Sequence, residues 1–111
     1  MNILIESSSK FNDYPVFMRS MMVALSDGDE EINLLCYKSH KLYSMALEFA
    51  NVTEQSLKSR GIKLKVNRVA DQQLDNLKLN KMFYFCTPGE HLSPLAKKIS
   101  NSGQEVVKFV Y

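Results

Sequence analysis

Five short apolar runs alternate with segments of three-to-four periodicity along nearly the whole chain, and that alternation admits few architectures. Residues 2–6 (NILIE) and 31–37 (EINLLCY) carry no helical spacing and read as buried strands. Residues 62–66 (IKLKV) alternate apolar positions with Lys, as a strand with one face in water does, and residues 81–86 and 106–110 complete the set. Between strands, Val16, Phe17, Met21, Ala24 and Leu25 follow Asp13, a predicted N-cap with Pro15 just inside the helix start. Leu42, Met45, Ala46, Phe49, Ala50 and Leu57 form a second helical stripe ending at Gly61. A third, through Leu92, Leu95, Ala96 and Ile99, ends at Gly103. Asp27-Gly28-Asp29 predicts a turn before the second strand, and residues 70–80 (ADQQLDNLKLN) allow either a short helix at Leu74 and Leu77 or a tethered loop.

Such alternation builds a mainly parallel sheet with helices on both faces, joined by right-handed crossovers. The expected fold is a three-layer Rossmann-like α/β sandwich with five mainly parallel strands in the order 3-2-1-4-5. A chain of 111 residues, 45% hydrophobic, supports one core and not two, so residues 1–111 are expected to form a single domain. No apolar stretch reaches the roughly 18 to 20 residues of a membrane span, and MNILIESSSK lacks a basic region ahead of a long apolar run. The expected location is therefore the cytoplasm, away from membranes. Cys36 and Cys86 both close apolar runs, the pattern of reduced core thiols rather than of a disulfide framework. A net charge of +2 permits an anionic ligand but provides no concentrated basic face for nucleic acid.

Ligands of open α/β sheets sit beyond the carboxyl ends of the strands, where strand order reverses. Three loops end there. Ser7-Ser8-Ser9-Lys10 offers hydroxyls and an ammonium, which suit a phosphate or carboxylate, or else simply satisfy local backbone groups. Lys38-Ser39-His40-Lys41 adds cationic side chains at the neighbouring strand end, as a ligand contact or as a charged turn. In Thr87-Pro88-Gly89-Glu90, Gly89 allows close backbone approach whereas Glu90 repels an anion. The ligand-binding candidates are Ser8, Ser9, Lys10, Lys38, His40 and Gly89. Glu6 is a candidate general base, but the serines and two histidines force no nucleophile–base pair, so no catalytic residue is assigned. Cys36, His40, Cys86 and His91 have zinc-like spacing, yet in this strand order the two thiols stand about 9–10 Å apart, too far to share one ion at about 2.3 Å each. Neither a metal nor a cofactor is expected.

Further features run through most of the chain. Ser8, Phe11 and Asp13-Tyr14 follow the first strand, Ala46-Leu47-Glu48-Phe49-Ala50 lies in the second helix, and Pro88-Gly89 and Ser102-Gly103 flank the last one. In these the chain resembles the YAcAr-like domains of the SLOG superfamily. They carry Gly-Ser-Arg, an aromatic and Asp-Tyr after the first strand, Ala-x-x-Trp-Ala in the helix, Pro-Gly-Gly after the fourth strand and Ala-Gly before the last. The resemblance implies a nucleotide or nucleotide-derived ligand, and some LOG relatives cleave an N-glycosidic bond in nucleotides. Here Tyr37-Lys38-Ser39-His40-Lys41-Leu42-Tyr43 replaces the family's glycine-rich second loop, and Glu90 replaces its next glycine. The expectation is thus binding without turnover, with Lys38, His40 and Lys41 supplying by charge what backbone amides supply in the relatives. The alternative is a protein-interaction module, an adaptor or inhibitor of the kind phages encode, that keeps the scaffold without the pocket. Phe17, Met21 and Leu25 share one face of the first helix, and Met18 and Met22 widen it, which predicts a homodimer or partner interface there.

Overall fold

The computed structural model describes residues 1–25 and 30–110, so the turn expected at Asp27-Gly28-Asp29 lies outside the described residues. Strands β1 (Asn2–Ser7), β2 (Glu31–Tyr37), β3 (Lys63–Val69), β4 (Lys81–Cys86) and β5 (Glu105–Val110) form one sheet in the order β3-β2-β1-β4-β5. Every pairing is parallel, as the alternation requires. Helices α1 (Tyr14–Ala24), α2 (His40–Ser59), α3 (Asp71–Leu74) and α4 (Pro94–Asn101) fill the connections. β3 continues past the Lys alternation to Val69, because its register with β2 runs on to the pair Tyr37 and Val69.

Each long helix starts at a side-chain cap. Asp13 Oδ1 accepts from the Val16 N–H at 3.1 Å, Ser39 Oγ from Leu42 at 3.1 Å, and Ser93 Oγ from Ala96 at 3.0 Å. Pro15 and Pro94 sit in first turns, where a missing N–H costs nothing. α2 stops where Gly61 takes φ 75° and the Ile62 N–H returns to the Leu57 carbonyl at 2.9 Å.

The alternating residues of each strand divide between two apolar layers. Ile3, Ile5, Leu34 and Cys36 pack with Phe17 and Met21 of α1 and with Leu42 and Phe49 of α2. On the other face, Leu4, Leu35, Met82, Tyr84 and Cys86 pack with Ala96 of α4. The two cysteines therefore lie on opposite faces of the sheet, which separates them more thoroughly than strand spacing alone. Phe17 is fully buried, edge-on to Phe49 at 6.2 Å and tilted against Phe85 at 5.1 Å.

Both readings of residues 70–80 hold in part. α3 is four residues long, and the chain beyond it packs Leu77 and Leu79 on the second layer. With so short a helix, the amino-terminal part of that face is polar: Asn33 donates to Asn2 at 2.9 Å, and Asn2 donates to the Lys78 carbonyl at 2.9 Å. No helix among the described residues is long and apolar enough to cross a membrane.

Candidate functional site

β1 and β2 end side by side, and the loops beyond them enclose a cleft of about 370 Å³. Its lining brings together Lys38 and Lys41, the serines at 7, 8, 9 and 39, Glu6, and the aromatic residues Phe11 and Tyr37. The second loop is tight: the Ser39 N–H donates to the Tyr37 carbonyl at 2.6 Å, closing a turn around Lys38. Lys38 consequently adopts φ 56°, a left-handed conformation that side chains other than glycine rarely take. That turn delivers Ser39 to the N-cap of α2, whose amino-terminal end faces the same edge of the sheet.

Lys38 is 58% exposed and forms an ion pair with Asp71 at 2.6 Å, while the Tyr37 hydroxyl donates to the same carboxylate. These two contacts, Lys38 first, hold the Asp71 carboxyl below its ordinary range. The Lys38 ammonium also sits 5.2 Å from the centre of the Tyr37 ring. An incoming anion must therefore compete with Asp71 for this lysine, through a pair that solvent already screens. At the end of β1, Glu6 is half-buried and accepts from the Ser93 hydroxyl at 2.5 Å. Burial raises its carboxyl above the usual value, opposed by the Ser93 bond and by the charge of Lys38.

Strand order reverses between β1 and β4, and that corner is arranged differently. Gly89 takes φ 86° in the turn after β4, and open space surrounds the position a Cβ would occupy. The backbone conformation by itself is enough to call for glycine there. The turn points Glu90 back on itself. Glu90 Oε2 accepts from the Thr87 N–H at 2.7 Å, the Thr87 hydroxyl at 2.9 Å and the Ser8 hydroxyl at 2.7 Å. The Ser8 bond, then the Thr87 backbone bond, holds its carboxyl below the ordinary range, with Lys10 contributing through its charge.

Of the residues expected from sequence, Ser8, Ser9 and Lys38 line the cleft, with the Ser8 hydroxyl already engaged by Glu90. Lys10, His40 and Gly89 are exposed and fall outside its lining. Lys41, Tyr37, Ser39 and Glu6 complete the cleft, and Asp71 and Ser93 anchor its rim. Ser93-Pro94 carried the signal of an N-cap followed by a first-turn proline, which places Ser93 at the edge where β1 ends. Asp71 lies in the undecided stretch and gave no comparable signal. On α1, Met18 is half-buried against the core, whereas Met22 is 41% exposed. A second groove, of about 490 Å³, runs between α3 and α4 over Leu74, Leu79, Leu95 and Ile99, and shares Tyr37 with the cleft.

Chemically, the cleft offers two ammonium groups and a helix N-terminus for an anionic end, and a carboxylate that accepts from hydroxyl or amino groups. No family model, curated protein or solved structure matches this chain.

Proposed function

We propose that the protein binds a small phosphorylated, nucleotide-like ligand, without turnover, in the cleft between the loops after β1 and β2. The observation that carries this reading is the pairing of Lys38 and Lys41 with Glu6 in one cleft at the start of the 20-residue helix α2. The lysines and the helix end attract phosphate, and Glu6 accepts from sugar hydroxyls or a base amino group. A volume of about 370 Å³ suits a mononucleotide better than a dinucleotide. The SLOG-like features at Ser8, Phe11, Asp13-Tyr14 and Pro88-Gly89 favour the same ligand class. Thermal-shift screening against nucleoside monophosphates, cyclic nucleotides and ADP-ribose tests it. A ligand at 100 times its dissociation constant adds about 2.7 kcal/mol of stability, and Lys38→Ala with Lys41→Ala abolishes the shift. Absence of any shift across the panel counts against the reading.

A second reading, an interaction module, draws on exposed apolar side chains of the two helices that cover one face. Met22 and Val23 of α1 are 41% and 75% exposed, and Leu47 and Val52 of α2 are also exposed. Sedimentation of the wild type and of Met22→Lys at micromolar concentration separates a homodimer from a monomer of 12.7 kDa. A wild-type monomer leaves Met18 and Met22 as ordinary edge and surface of α1 with respect to self-association.

A further inference from the structure

The corner between β1 and β4 is built like an anion site. Three neutral donors, the N–H and hydroxyl of Thr87 and the hydroxyl of Ser8, converge on a single oxygen at 2.7–2.9 Å. All three lie within the ordinary range for amide and hydroxyl donors, and a phosphate oxygen makes the same demand as a carboxylate oxygen. The donors come from loops on both sides of the strand-order reversal, where open parallel sheets receive ligands. Positive charge flanks the turn as well: the Lys108 ammonium donates to the Glu90 carbonyl at 2.6 Å, and Lys10 acts on the Glu90 carboxylate.

We propose that this corner is an anion-binding site that the chain fills with its own Glu90 carboxylate, and that inorganic phosphate or a phosphate monoester occupies it only when that carboxylate is absent. Glu90 is tethered three residues from Thr87, so its local concentration far exceeds that of a free anion. It therefore acts as a specificity determinant, excluding phosphate from the β4 side of the edge and leaving the β2 side, with Lys38 and Lys41, as the open place for one. The inference goes beyond the proposed function, because Thr87 and Glu90 lie outside the cleft lining and Ser8 is the one donor common to both places.

Phosphate titration of ¹⁵N-labelled full chain at constant ionic strength tests it, following the amides of Thr87 and Gly89, which lie outside the cleft that Ser8 helps to line. In the wild type these amides show no saturable movement. In Glu90→Ala they saturate, with affinity at least about tenfold above any wild-type response, and adding Ser8→Ala weakens that binding. Glu90→Gln keeps the length of the side chain and its acceptor oxygen but not the charge, and gives intermediate affinity; it serves as the decisive variant if Glu90→Ala does not fold. A folded Glu90→Ala or Glu90→Gln that binds phosphate at Thr87 no better than the wild type overturns the proposal, as does a wild type that already binds phosphate there. The amides of residues 38–41 report on the cleft separately in the same spectra, so failure at one corner is not read as failure at the other.

Discussion

The Ser8 hydroxyl donates to the Glu90 carboxylate at 2.7 Å across 82 residues of sequence, fastening the loop after β1 to the turn after β4. Because this bond and those from Thr87 hold the carboxyl below its ordinary range, the folded chain releases that proton more readily than the unfolded one. The stabilisation is complete above the ordinary carboxylate value and is lost as pH falls through the depressed one. Glu90→Gln should flatten that part of the acid dependence. Urea unfolding over a series of pH values checks it, and an unchanged acid slope contradicts the assignment.

Glu6 carries the opposite sign. Burial raises its carboxyl, so the folded chain binds this proton more tightly than the unfolded chain does. Stability falls as pH rises from the ordinary carboxylate value through the raised one, and the cost persists above it. Glu6→Gln, which still accepts from Ser93, should therefore be more stable than the wild type at neutral pH and lose that advantage in acid. Paired unfolding curves at neutral pH and below the carboxylate range decide the matter.

Parallel sense and the two-sided core were legible because buried strands and amphipathic helices leave different periods in the sequence, whereas the strand order rested on the usual order of such alternating folds and on the corners that resemble the SLOG superfamily. The site was legible only in part. Ser9 and Lys38 could be placed at the edge from the loops alone, but the γ-like turn at Lys38 puts Lys41, not His40, into the cleft. In sequence, Glu90 stands only as a carboxylate that repels a ligand anion; that it reaches back to Ser8 is a contact between residues far apart in sequence, which no local pattern encodes. Asp71 was missed for the same reason, since its partners Tyr37 and Lys38 lie on another strand end.

Phe17 joins α1, α2 and β4 through its contacts with Phe49 and Phe85. Phe17→Ala should cost about 3–5 kcal/mol, against about 1 kcal/mol for loss of the α1 cap in Asp13→Ala. Denaturant midpoints at unchanged slope measure both. A Phe17→Ala penalty no larger than that of Asp13→Ala would displace Phe17 from the centre of the core.

Burial pushes the Cys36 thiol up to about 12 and raises Cys86 as well. Both should resist a thiol-disulfide reagent at neutral pH in the folded chain and react together on unfolding. Rapid labelling of either one in native buffer contradicts the burial described for it.

The ligand proposed for the edge between the loops after β1 and β2 is phosphorylated. Amide titration of the wild type with 5′-AMP and ADP-ribose tests it most directly. Saturable shifts are expected at Ser9 and at residues 38–41, lost in the Lys38→Ala, Lys41→Ala double variant, with the nucleotide recovered unchanged. No saturable shift with either compound, or shifts confined to Met22 and Val23 on α1, would contradict it.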